Sequence, residues 1–395
     1  MICAEYTSPV TIKSENRHPA HESTGPHVCA ERIVGLKVLH AAFQAHSSPG
    51  IAQQMAWEQA AARELGVPWE SVLWVADEQA PARTGARLGH LTGRAFAWMR
   101  GRMAFYAWLS QQAHHYDLVL LRHSSHDPLE VRFVSRSPVK IATVHHTKEV
   151  QELATRNGSM AGVRARAEAA IGRRVLGLVD ALIGVTSEIV SHEVARVPSR
   201  SDLPTFVYPN GVVVGHDPCP DSRSGVPRIA FVAASFASWH GLDRLMDALD
   251  RDNEECYVDV IGQTPAPLMS RLSGDPRVVL HGVLPQRQID EVLASAWCGL
   301  SSLALDRQEM EEACPLKVRH YLSGGVPVYA GHRDSGIPEA FPYFRRGSVE
   351  LSEVLSFATE HRNVSREHVR QSAKPFIDKR PLLESLYRAL QAASM

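Results

Sequence analysis

The chain has no run of 18 apolar residues, which excludes a membrane-spanning helix on length alone. Its first residues lack the apolar core of a secretory leader, so the reading is a cytoplasmic protein. The six cysteines, Cys3, Cys29, Cys219, Cys256, Cys298 and Cys314, are scattered and form no C-x-x-C pair. That pattern suits a reducing compartment and argues against a zinc site. Net charge is nearly absent: 42 Lys and Arg stand against 43 Asp and Glu. A balanced chain is not built for polyanions, and no nucleic-acid partner is expected. No G-x-G-x-x-G occurs, which removes the dinucleotide fingerprint.

One absence is local. No acid occurs between Glu78 and Asp117, where Arg83, Arg87, Arg94, Arg100 and Arg102 interleave with Phe96, Trp98, Met99, Phe105, Tyr106 and Trp108. Such a helix either lies on an anionic bilayer or packs its aromatic face on a sheet, its basic face in water. Residues 83–108 are therefore a candidate peripheral contact with the inner membrane face.

What is present is a rhythm of short apolar runs and helical segments. A length of 395 residues suggests two or three domains, and 44% hydrophobic content is enough for sizeable cores. Residues 1–34 are polar and aperiodic and read as a mobile tail. Leu36–Phe43, Ser71–Val75, Asp117–Arg122, Lys140–His145 and Ala181–Val185 read as buried strands separated by helices. That order predicts an α/β fold with a doubly wound parallel sheet. The Pro- and Gly-rich run 216–227 reads as a linker, and the pattern restarts at Arg228–Ala233, Tyr257–Gly262, Val278–Val283 and Gly299–Leu305. The expected plan is a tail 1–34, a first domain 35–215, a linker 216–227, a second domain 228–374 and a final segment 375–395.

The most informative stretch is Glu311–Val328, EEACPLKVRHYLSGGVPV. Pro315 before and Gly324-Gly325 after bracket a short helix over Lys317–Leu322. Its N-terminus offers backbone N–H groups to an anion. Lys317 in the first turn opposes the helix dipole, so it is either a solvated surface Lys or the partner of an anion. His145 and His146 follow a strand's carboxyl end, where open α/β sheets bind ligands; a structural His pair is the other reading. Gly50 follows Pro49 in a strand–loop–helix opening and is a plain turn or a point of close backbone approach.

Glu312–Val328 resembles the donor-site signature of the retaining family-four GT-B glycosyltransferases, and with Trp239-His240-Gly241-Leu242-Asp243-Arg244-Leu245 it resembles a bacterial surface-polysaccharide subgroup. The resemblance implies a GT-B fold, two Rossmann-like doubly wound domains facing a cleft, with the last helix crossing back to the first domain. It implies transfer from a nucleotide-diphosphate sugar to a glycan or lipid-linked acceptor, with retention and without metal or cofactor. Glu312, Lys317 and His145 take the catalytic positions by this resemblance. Gly50, Ser235, His240, Gly262, Gly282, Val283, Leu316 and His320 take the donor-binding ones. The chain departs from the family at three of these positions. Ser235 and His240 stand where family members carry Arg and Lys, and His320 stands where a second Glu would hold the ribose. These departures keep a second function open: a non-catalytic relative that binds or scaffolds in polysaccharide synthesis.

Overall fold

A computed structural model describes residues 35–45, 48–76, 89–155, 160–215 and 217–395, with the side chains of 89–97 left aside. The tail 1–34, Arg83 and Arg87 lie outside the described residues, as do the side chains of Arg94 and Phe96. Gly35–Met395 form one compact unit.

The first half builds a six-stranded, all-parallel sheet. Its strands are β1 (Val38–Gln44), β2 (Trp69–Val75), β3 (Leu118–Arg122), β4 (Lys140–His145), β5 (Ala181–Gly184) and β6 (Thr205–Val207), in the order β2-β1-β3-β4-β5-β6. The central strands are buried on both faces, as a parallel sheet between helices requires. Its helices are α1 (Pro49–Leu65), α2 (Gly89–Gln112), α3 (Pro128–Val134), α4 (Glu149–Thr155), α5 (Ala161–Leu176) and α6 (Ser187–Ala195). Helix α1 starts on Pro49 and ends on Gly66, whose left-handed backbone (φ 65°) returns its N–H to Ala62 and Arg63. Phe105, Tyr106 and Leu109 of α2 enter the core of this half, so part of the aromatic face in 83–108 packs on the sheet.

The second half repeats the plan. Its strands are β7 (Arg228–Ser235), β8 (Tyr257–Gln263), β9 (Val278–Gly282), β10 (Cys298–Leu300), β11 (Glu312–Ala313), β12 (Val328–Ala330), β13 (Arg333–Asp334) and β14 (Phe344–Arg346). The main sheet runs β14-β12-β10-β7-β8-β9, while β11 and β13 pair apart. The helices are α7 (Leu242–Arg251), α8 (Ala266–Gly274), α9 (Gln286–Leu293), α10 (Leu316–Ser323), α11 (Leu351–Glu360), α12 (Arg366–Ile377) and α13 (Lys379–Ala392). Leu242, Leu245, Met246 and Leu249 form one stripe of α7 and all enter the core, each worth about 1.5–3 kcal/mol of burial. At Gly262 (φ 130°) an added Cβ would stand 1.6 Å from the Ala233 carbonyl oxygen, so only glycine fits where β8 passes β7.

One strand differs from expectation. Strand β10 stops at Leu300 instead of running to Leu305, because the chain leaves the sheet there and forms a 3-10 turn over Leu305–Gln308.

Helix α13 leaves the second half and docks on the first. Leu383, Leu386, Tyr387 and Leu390 pack with Val38, Ala61 and Trp69. At its start Lys379 Nζ stands 3.8 Å from Glu58, a buried carboxylate that also takes bonds from His40 (2.6 Å), Trp69 (3.0 Å), Ser71 (2.8 Å) and Tyr208 (2.9 Å).

Candidate functional site

The carboxyl ends of the two sheets approach each other and enclose a cavity of about 230 Å³. His146, Thr147 and Asn210 line it from the first half; Trp239, His240, Ser302, Pro315 and Lys317 line it from the second.

Lys317 lies in the first turn of α10. No side chain caps that helix, whose N-cap is Pro315; the Val318 N–H turns back to the Pro315 carbonyl (3.2 Å), and the Leu316 and Lys317 amides have no side-chain acceptor. The Lys317 stem is partly exposed, but its Nζ is buried, has no hydrogen-bond partner, and stands 5.3 Å from the Phe231 ring centre. Burial alone pushes its ammonium down to about 7. His240 sits beside it. Its Nδ1 accepts from the Ala237 N–H at 2.9 Å, which leaves the proton on Nε2. Burial, then the Lys317 charge, holds this imidazole down to about 3, so it is a neutral donor. The 3-10 turn Ser238–His240 is fixed by Leu303 N–H to the His240 carbonyl (2.9 Å) and Ala304 N–H to that of Trp239 (3.2 Å).

Of the two strand-end histidines, His146 faces the cavity and His145 does not. His145 is wholly buried, with Nδ1 3.2 Å from both Glu149 oxygens and its ring stacked on His123. Successive side chains leave a strand on opposite faces, so only one of the pair can turn to the cleft. Of the pair, then, His146 and not the expected His145 lines the cavity. The His146 Nε2 accepts from Arg122 at 2.8 Å, and burial followed by that guanidinium keeps it far below the usual histidine range.

Glu312 lies outside the cavity that holds Lys317. It lines a neighbouring one of about 620 Å³ with Ser187, Arg333 and Ser335. Its Oε2 accepts from Ser187 Oγ (2.7 Å), Glu188 N–H (2.9 Å) and Ser335 Oγ (2.9 Å). Burial raises its carboxyl, but these bonds outweigh it and the net shift is downward. The contact is reciprocal: Glu188 Oε2 accepts from the Glu311 and Glu312 N–H groups at 2.9 and 2.7 Å. Lys148 joins Glu188 (2.7 Å) to the Glu309 carbonyl (2.6 Å). Beside this latch Val185 and Ile189 pack on Leu305, Met310 and Cys314, so the two halves share a small apolar core.

The remaining donor-side residues are spread out. Gly50 faces Leu316, whose Cδ1 would stand 4.0 Å from a Cβ there. His320 turns to α1, its ring 5.8 Å from that of Trp57, and burial lowers it. Ser235, Gly282 and Val283 are exposed at strand ends, and none lines the 230 Å³ cavity. Gly262 is explained by packing. Asn210 and Ser302 were not singled out from sequence; each sits just past a strand, the same signal that marked His145. The chain's one Asp-x-Asp spacing, Asp250-Arg251-Asp252, falls at the end of α7 with Asp250 paired to Arg271, away from the cavity.

No protein-family model matches the chain, and no curated protein matches it by sequence. Solved structures do match over nearly its whole length. The lipopolysaccharide outer core galactosyltransferase WaaB is 11% identical, covering 91% of this chain and 100% of its own, with a TM-score of 0.59. Anabaena HepE in complex with UDP-glucose is 13% identical, covering 90% and 100%, at 0.57. Sucrose-phosphate synthase from Thermosynechococcus elongatus is 14% identical, covering 90% and 100%, at 0.62. Two all-parallel sheets meeting at their carboxyl ends, matched along their length by such glycosyltransferases, give this chain the GT-B fold.

Proposed function

We propose that the chain transfers a sugar from a nucleotide-diphosphate sugar to a glycan or lipid-linked acceptor, with retention and without a metal ion at the reacting centre. The observation that carries this reading is Lys317: a buried amine with no hydrogen-bond partner, at an uncapped helix start, inside the cavity between the sheets. A buried cation without an anion is costly, so the site is built for one that arrives. HepE, a neighbour in fold, has been solved with UDP-glucose, and a nucleotide diphosphate supplies the anion that Lys317 lacks.

In this reading the diphosphate takes Lys317 Nζ, the Nε2–H of His240 and the first amides of α10. These donors stabilise the charge that grows on the leaving phosphate as the anomeric C–O bond breaks. The acceptor hydroxyl attacks from the same face and the departing phosphate oxygen takes its proton, which accounts for retention without a carboxylate nucleophile. His146, held by Arg122, stands on the opposite wall and orients the acceptor. Glu312 offers Oε1, whose contact is Arg333 at 3.8 Å, to sugar hydroxyls, since Oε2 is engaged by three hydrogen bonds. Exposed Met99 and Met103 of α2, close to Arg100, provide the membrane-facing patch for a lipid-linked acceptor.

The test is to offer UDP-sugars with candidate acceptors and read the product's anomeric configuration by NMR. An α-linked product from an α-linked donor supports the reading, and a β-linked one overturns retention. A folded protein that binds UDP but neither transfers nor hydrolyses any donor is instead the binding or scaffold relative. The exposure of Ser235 outside the cavity is the feature that favours this second reading.

A further inference from the structure

We propose that His145, Glu149 and Glu193 form a buried site for one divalent transition-metal ion beneath the cleft, independent of the transfer reading. The three side chains come from the end of β4, the first turn of α4 and α6. His145 and Glu193 are wholly buried and Glu149 is 5% exposed. His145 Nδ1 stands 3.2 Å from both Glu149 oxygens and 3.9 Å from Glu193 Oε2, and one donor atom from each residue falls within 4.8 Å of the others. Ligands bound at about 2.1 Å to one ion stand about 3.0 Å apart in cis-octahedral geometry and about 3.4 Å apart in tetrahedral geometry. The His145–Glu149 spacing falls in that range, and the 3.9 Å to Glu193 Oε2 lies about 0.5 Å beyond it. Both are long for a charge-assisted N–H···O bond, which prefers about 2.7–2.9 Å.

A second observation points to a bound species. Glu193 Oε1 is buried without a hydrogen-bond partner, and so is His192 Nε2, 3.8 Å from it; His145 Nε2 is also unpartnered. A carboxylate oxygen left bare in the interior is expensive, so something completes the set. One imidazole with two carboxylates suits zinc, manganese or ferrous iron. Arg196 donates to Glu193 Oε2 (2.5 Å) and His123 stacks on His145 at 4.7 Å, the kind of surround that fixes ligand orientation. Bound there, the ion ties together the ends of β4, α4 and α6. Lys148 and Glu188, at the starts of the last two, grip the second half.

The experiment uses the full chain. Metal content is measured by plasma mass spectrometry as purified, and again after chelator treatment and reloading with zinc, manganese or cobalt. The expected result is about one equivalent per chain, a melting temperature that falls on stripping and recovers on reloading, and a visible cobalt(II) band lost in Glu193→Gln and Glu149→Gln. If those variants do not fold, the wild-type measurements decide alone. Folded wild-type protein that keeps far less than one equivalent, and shows neither cobalt band nor stabilisation with metal added at roughly 100 µM, overturns the proposal and leaves a hydrated hydrogen-bond network.

Discussion

Replacing Lys317 with methionine separates its cost to the fold from its use in binding. Methionine keeps the length of the side chain and removes the charge. In the unfolded chain the ammonium titrates near 10.5, while burial brings it to about 7 in the folded chain. Between those values the unfolded state holds more protons, so this residue makes stability rise as pH rises from 7 towards 10.5. At pH 7 the shift corresponds to about 4 kcal/mol against folding, an upper bound because buried sites relax and admit water. Lys317→Met is therefore expected to be more stable than wild type at pH 7, by a margin that shrinks towards pH 10. Its affinity for UDP should fall by about 10–10²-fold, the scale of one lost hydrogen bond to a charged group (about 1.5–3 kcal/mol). Denaturant melts of both proteins at pH 7, 8, 9 and 10 give the stability difference, and calorimetric titration with UDP gives the affinity. A variant that is less stable at pH 7 would show that Lys317 has a partner in the fold. A variant that binds UDP as wild type does would remove Lys317 from the anion site.

Four further outcomes follow from the same geometry. Glu312→Gln and Glu188→Gln should loosen the latch, raising the radius of gyration in X-ray scattering with little change in helix content; because the Glu312 carboxyl is lowered, its contribution is complete above about pH 4.5 and is lost as pH falls below that. His320→Glu should lower the melting temperature and leave UDP affinity unchanged, since the ring is buried on Trp57 and a carboxylate there, facing Asp290, costs several kcal/mol; tightened UDP binding would return His320 to the ribose position. Glu58→Gln should cost about 3–5 kcal/mol in denaturant unfolding, because Lys379 and His40 lose their buried counter-charge; a loss under about 1 kcal/mol would mean that α13 docks by its apolar face alone. Vesicles with anionic lipid should bind the protein more than neutral ones, and salt should weaken that binding; equal binding to both counts against a membrane role for α2.

The sheets were legible because a buried parallel strand announces itself as a continuous apolar run; Lys140–His145 matches β4 residue for residue. Helix α10 was legible from Pro315 and Gly324 at its ends. The side-chain arrangement was less so, for physical reasons. Two adjacent histidines at a strand end cannot both face the cleft, and which one does depends on the pleat. Glu312 stood out as an acid in the right stretch, yet its partners Ser187 and Glu188 lie 125 and 124 positions away, where no local pattern reaches. His320 looked like a substitution in a binding pocket, but the phase of α10 turns it towards Trp57. Lys317 could be read either way from sequence, and only the burial of its Nζ favours the anion reading.

The central claim is that the cavity around Lys317 receives a diphosphate, and a crystal structure of the full chain with UDP tests it most directly. The β-phosphate is expected within hydrogen-bond distance of Lys317 Nζ and His240 Nε2, against the first amides of α10. Phosphates bound instead among Arg333, Arg345 and Arg346 beside Glu312, with the Lys317 cavity empty, would contradict it.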